Sequence, residues 1–164
     1  MRLLKEIEGS VLWLYQSNEY SINNLRNEAI SRRIDADRLI FAKKLPLKKH
    51  LARYSLGDLA LDTFNYNGGA TTSDALWGGL PVLTKLGKSF SARISASILT
   101  SIGLPELITY SEQEYENKAL YLARNTKKLS KLKSKLIRLR QRSSLFNSKK
   151  FTRDLESKLI ELLN

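Results

Sequence analysis

The chain has 164 residues, one histidine, no cysteine and a formal net charge of +12. That length suits one domain with a real core, and without cysteine there are no disulfides, no thiol chemistry and, with one histidine, no Cys/His zinc site. No apolar run approaches the roughly 18 residues of a membrane span, and the opening MRLLKEIEGS is too charged for a signal peptide, so a soluble cytoplasmic protein is expected. The charge is localised. Thirteen of the 28 basic residues fall between Glu116 and Asp154 with no acidic residue among them, leaving fifteen against all sixteen acidic residues elsewhere.

In chain order, residues 1–8 suggest a short helix with Leu3, Leu4 and Ile7 on one side. The apolar run VLWLY (11–15) reads as a buried strand. Ser21 is placed to cap a helix reaching about Arg32. LIFA (39–42) is a second strand, and Pro46 opens a helical stretch stopped by Gly57. Residues 59–61 form a third strand, PVLT (81–84) a fourth, and 107–109 a short fifth, with a helix over 91–101 ending at Gly103. Short apolar strands alternating with helices predict an α/β fold, a Rossmann-like parallel sheet with flanking helices. From Ser111 onward the pattern is all helical. Ser111 and Glu114 make a capping box, and Leu129, Leu132, Leu136 and Leu139 face inward on the next helix. Phe151, Leu155, Leu159 and Leu162 stripe the last one from about Ser148. The chain reads as one lobe over 1–164, with an α/β core over 1–110 and a helical tail over 111–164.

The central stretch is 61–81, LDTFNYNGGATTSDALWGGLP. It reads as a strand end, a glycine turn and a helix start in which Thr71, Thr72 and Ser73 can each offer a capping oxygen. Strand, turn and helix N-terminus cradle phosphate when the first N–H groups point outward; many such units also exist without a ligand. Parallel sheets bind ligands at their carboxyl ends, which directs attention to loops 16–20, 43–46, 63–69 and 85–90. His50 lies one turn after Pro46 with Arg53 three residues on. A flat ring beside a guanidinium could hold a base and a phosphate; a lone histidine on a basic helix could equally be structural. Asp74 could accept from ribose hydroxyls or serve as a first-turn charge. Asp62 could be an acid or base, or simply bond the following loop. No paired carboxylates, Ser/His/Asp order or Walker motif is present.

The blocks VLWLY, LPLKKHLARY, DLALDTFNYNGGATTSDALWGGLPVLT, GKSFSARISASILTSIGLPELI and SSLFNSKKFTRDLE, in that order, resemble the C-terminal catalytic lobe of the O-GlcNAc transferase and SPINDLY-type glycosyltransferases. The resemblance covers nearly the whole chain. It implies the nucleotide-sugar half of a two-lobed GT-B enzyme that moves a sugar from a donor such as UDP-GlcNAc or GDP-fucose to protein Ser/Thr. It implies that backbone groups at Leu45 read the base and that His50 and Arg53 lie beside the nucleotide. Ala70, Thr71 and Thr72 then meet the diphosphate at a helix N-terminus, and Asp74 binds the ribose. Gly69 stands where the family often has a phosphate-loop histidine, and Leu47 where the animal enzyme has a nucleotide-holding lysine. No metal or other cofactor is expected, and no catalytic residue is assigned. The resemblance also implies an N-terminal lobe, a protein acceptor, and a C-terminal helix that packs on that lobe. Alone, the chain is expected to be incomplete as an enzyme, and the last stripe must fold back or find a partner. Two alternatives stand beside this reading: a nucleotide-binding module without turnover, and a nucleic-acid-binding protein using basic helices 118–153. The second is disfavoured because those helices carry few aromatic platforms.

Overall fold

The computed structural model describes residues 1–163. It opens with α1 (Arg2–Glu6), β1 (Leu12–Tyr15) and α2 (Glu19–Ser31). The cap of α2 is Asn18, whose side chain accepts the N–H of Ser21. The helix therefore begins two residues before the expected cap, and Ser21 is the capped residue. A 3-10 turn leads into β2 (Leu39–Ala42), which pairs in parallel with β1 from Leu12↔Leu39 to Tyr15↔Ala42. The run 11–15 is not a fully buried strand. Leu12 and Leu14 are half-buried while Trp13 and Tyr15 are exposed. This period-2 pattern marks a strand with only one face packed on a core, here the small cluster of Leu4, Ala29, Ile34 and Leu39.

After Pro46 come α3 (Leu47–Arg53), a 3-10 turn over Tyr54–Leu56 and β3 (Ala60–Leu61). The helix α4 (Ala70–Trp77) follows, then β4 (Val82–Lys85), α5 (Ile94–Ile102) and β5 (Ile108–Thr109). β3, β4 and β5 form a second parallel ladder. All of the pairing is parallel, as alternating strands and helices require, but the two ladders are not hydrogen-bonded to each other.

The larger core lies on the second ladder, where Leu76, Leu83, Leu99, Leu104 and Leu107 are fully buried. The helices α6 (Glu112–Arg124) and α7 (Thr126–Arg140) close it with Tyr115, Leu122, Leu129, Leu132 and Leu136. Ser111 caps α6 by accepting the N–H of Glu114, whereas the Glu114 carboxylate accepts from Tyr110 rather than Ser111. The expected reciprocal box is displaced by one residue. The last helix, α8 (Ser148–Leu163), buries none of its residues. Its stripe of Phe151, Leu155, Leu159 and Leu162 is exposed and does not fold back onto the sheet. Among the described residues no helix is long and apolar enough to cross a membrane.

Candidate functional site

The carboxyl ends of β1 and β2 meet the start of α3 in a pocket of about 350 Å³ lined by Tyr15, Lys44, Leu45, Leu47, His50 and Arg53. Helical spacing puts His50, Arg53 and Tyr54 on one face. Arg53 donates from Nη2 to Nδ1 of His50 at 2.7 Å and from Nη1 to the carbonyl of Lys43 at 2.8 Å. A guanidinium only donates, so Nδ1 is the acceptor and the ring proton sits on Nε2. Nε2 then donates to the Tyr54 hydroxyl at 3.2 Å. Arg53 also lies 5.9 Å from the centre of the Trp13 ring. The guanidinium is thereby anchored to the end of β2, to β1 and to the imidazole at once.

The second half of the site is the turn into α4. Gly69 occupies the cap position and no side chain caps the helix, so the oxygens expected from Thr71, Thr72 and Ser73 do not fill that role. Among the described residues, the N–H groups of Ala70, Thr71 and Thr72 meet no internal acceptor, while Ser73 N–H already bonds to Gly69. These are the free donors, backed by the helix dipole, that bind anions.

The turn is held from below. Asp62, at the end of β3, accepts the N–H of Gly68 at 2.8 Å and the hydroxyl of Thr84 at 2.6 Å. Of the two roles open to Asp62 in the sequence, bonding the following loop is the one the geometry shows. Tyr115 donates to the Asp62 carbonyl at 3.1 Å; burial, then the Asp62 charge, pushes its phenol well above its usual range and keeps it a donor. Ser95 donates to the Gly68 carbonyl at 2.9 Å. Asn67 is buried, bonded through its N–H to Ser91 and through Nδ2 to Thr63, and its Oδ1 has no partner. Any side chain at Gly68 would meet Thr71 Oγ1 at 2.5 Å and Thr72 Oγ1 at 2.7 Å.

α3 meets the C-terminal end of α4 at Gly78, where an added Cβ would lie 2.6 Å from Cβ of Tyr54. Asp74 sits one turn before Gly78, and the Tyr54 phenol is pushed up by burial and then by the Asp74 charge, with Arg53 opposing. Leu45, His50 and Arg53 therefore share one pocket, and Asp74 stands beside the phenol that His50 contacts. Ala70 and Thr71 are exposed on the first turn of α4. Thr72 differs. It is buried, and its hydroxyl is 2.8 Å from Ser95 Oγ, so only its backbone N–H is available to a ligand. Sequence reasoning did not single out Tyr54, Trp13 or Tyr15. Tyr54 had a signal, its place four residues after His50; the other two lay inside what read as a buried strand.

Several basic residues of the C-terminal helices are tied to the α/β part of the chain. Lys133 bonds the Gly57 carbonyl and Asp58, Lys135 pairs with Glu106, Arg124 with Glu6, and Arg140 bonds the Trp77 carbonyl.

Comparison with known proteins gives a consistent result. The sequence model of glycosyl transferase family 41 matches residues 1–155. A Caenorhabditis elegans UDP-N-acetylglucosamine–peptide N-acetylglucosaminyltransferase is 31% identical over 159 residues, 97% of this chain and 14% of that protein. A probable UDP-N-acetylglucosamine–peptide N-acetylglucosaminyltransferase SPINDLY from Solanum lycopersicum is 39% identical over 108 residues, 66% of this chain and 12% of that protein. Among solved structures, a mutant Thermobaculum terrenum O-GlcNAc transferase superposes with a TM-score of 0.89 at 30% identity, covering 96% of this chain and 31% of that one. The chain thus spans between about a tenth and a third of the length of these relatives.

Proposed function

Because the chain belongs to glycosyl transferase family 41, we propose that it is the nucleotide-sugar-binding lobe of a protein O-glycosyltransferase, working in the cytoplasm with a UDP-GlcNAc-type donor and a protein Ser/Thr acceptor. One observation carries this reading. A helix turn with free N–H groups at Ala70–Thr72 is braced by Asp62 through Gly68, and α3, which carries the His50–Arg53 pair, meets the other end of the same helix at Gly78. The parts divide the donor among them. Leu45 backbone groups and the His50 ring face the base, the α4 turn takes the diphosphate, and the Asp74 carboxylate accepts from the ribose. Arg53 keeps the ring oriented and adds positive charge.

When the sugar leaves, negative charge grows on the diphosphate. Preorganised N–H groups and a helix dipole aimed at that charge stabilise the transition state more than the ground state. The acceptor hydroxyl must also be held in line with the sugar; we assign that task to a separate N-terminal lobe, of the kind that longer relatives have room for. The donors and cation here can take a diphosphate without a metal, and no metal is part of the proposal. The pairing of Lys133, Lys135, Arg124 and Arg140 with groups of the α/β part of the chain makes a nucleic-acid surface the weaker reading. The test is titration of UDP into the isotope-labelled chain. The amide resonances of Ala70, Thr71 and Thr72 should shift together and saturate; if they stay fixed while the fold is intact, the reading fails.

A further inference from the structure

The outer edge of β2 carries an inference that does not depend on the nucleotide reading. Among the described residues, β2 pairs with β1 on one side and with no strand on the other. Gln16 N–H donates to the Ala42 carbonyl at 2.9 Å. Backbone groups of successive strand residues point to opposite sides, so Ile40 and Ala42 face β1 while Leu39, Phe41 and Lys43 face outward.

Part of that outward row is already used. The Leu39 N–H bonds the Ala36 carbonyl of the preceding 3-10 turn, and the Lys43 carbonyl accepts from Arg53. The Leu39 C=O, both groups of Phe41 and the Lys43 N–H stay open. A groove of about 630 Å³ runs beside this edge, lined by Ile22, Asn23 and Arg26 of α2 together with Leu39, Ile40 and Phe41. Neither α2 nor a loop therefore covers the strand, and an uncovered edge is a template for another strand.

The charges flanking β2 are asymmetric. Asp35 and Asp37 precede the strand, and Lys43 and Lys44 follow it. Asp37 and Lys43 are exposed, and among the described residues neither side chain is in an ion pair. Arg38, between Asp37 and the strand, is turned inward onto the carbonyls of Ile7 and Ser10 and does not offset the acidic end.

We propose that β2 pairs antiparallel with β2 of a second copy of this chain, across a two-fold axis at Phe41. In that register the two Phe41 residues exchange N–H and C=O, and each Lys43 N–H meets the Leu39 C=O of the other copy. The groups already used, Leu39 N–H and Lys43 C=O, fall opposite one another, so no open group is left unmatched. An unrelated antiparallel strand would leave its own groups unpaired at those points. Ile40, 43% exposed, comes to face Ala42 of the second copy. The acidic end of each β2 meets the basic end of the other, whereas parallel pairing would set Asp37 against Asp37 and Lys43 against Lys43. Such an isologous contact closes at two copies. The strand has four residues, so the interface is small and the dimer depends on concentration.

Sedimentation equilibrium tests this, with the chain raised from micromolar to millimolar concentration, and should show reversible dimer formation. Asp37→Lys and Lys43→Glu should each weaken self-association by about tenfold or more. An equimolar mixture of the two variants should restore it, because each reversed charge then meets its opposite. Amide exchange on the unaltered chain needs no variant. Phe41 and Lys43 should slow by about tenfold or more between dilute and concentrated samples, while Leu39, already bonded to Ala36, should not. A chain that stays monomeric at millimolar concentration overturns the proposal, as it would if the edge takes only a foreign extended segment. It is also overturned by self-association indifferent to both charge reversals, by a mixture no tighter than either variant alone, or by slowing confined to α8 amides such as Leu155 and Leu159.

Discussion

The carboxylate of Asp62 accepts the backbone N–H of Gly68 at 2.8 Å across six residues, and with its other oxygen holds the Thr84 hydroxyl of the neighbouring strand. This one side chain ties the turn before α4 to the sheet. Asp62→Ala leaves both donors without a partner, and a stability loss of about 1–3 kcal/mol is expected. Gly68→Ala drives a methyl group into Thr71 and Thr72 and should cost about 1–3 kcal/mol as overpacking does. Denaturant unfolding of both variants checks this; wild-type midpoints would show that the turn is not braced in this way.

Adjacent threonines on α4 should separate stability from binding. Thr72 is buried against Ser95, so Thr72→Val should lower stability by about 1 kcal/mol. Thr71 is exposed, so Thr71→Val should leave the unfolding midpoint within about 0.5 kcal/mol of wild type. Thermal unfolding of the two variants decides; equal losses would contradict the orientation of α4.

Tyr54 reports how close α3 and α4 lie. Burial first, and the Asp74 charge second, raise its phenol above the ordinary value of 10.0. A raised folded-state value means that the folded protein holds this proton more tightly than the unfolded chain. The associated stability is complete below pH 10 and is lost as pH climbs through the folded value. Asp74→Asn removes the charge, so Tyr54 should ionise at lower pH than in wild type. Phenolate absorbance, with Tyr54→Phe as the reference, follows this one group; an unchanged titration would mean that Asp74 is not beside it.

The exposed stripe on α8 contributes little to the isolated fold. Leu155→Ser with Leu159→Ser should shift stability by less than about 0.5 kcal/mol, whereas Leu136→Ala, fully buried on α7, should cost about 2–5 kcal/mol. Chemical denaturation of both proteins makes the comparison, and similar losses would place α8 against the core.

Element order was legible because short apolar runs alternate with helical spacing, and because Pro46, Gly57 and Gly103 mark boundaries that local chemistry enforces. The break between the β1–β2 and β3–β4–β5 ladders was not, since strand partners are chosen by tertiary packing. At the α2 start both Asn18 and Ser21 can cap, and the geometry uses Asn18 to bind the Ser21 N–H. In the site, His50 and Arg53 were readable from their spacing. Tyr54 was not, because an aromatic residue at helical spacing also reads as core. Thr71 and Thr72 looked equivalent, yet successive helical residues are turned about 100° apart, and that step turns Thr72 onto Ser95 while Thr71 stays exposed. The brace through Thr84, Ser95 and Tyr115 joins residues more than twenty positions from Asp62 or Gly68 and leaves no local trace.

Nucleotide binding by the α4 turn and the His50–Arg53 pair is most directly tested by calorimetry with UDP, on the chain shown to be folded. Saturable binding is expected, unchanged by EDTA, and weakened by about 1–3 kcal/mol in both Arg53→Ala and Asp74→Ala through lost charged hydrogen bonds. No heat with millimolar UDP or GDP, or wild-type affinity in both variants, would contradict it.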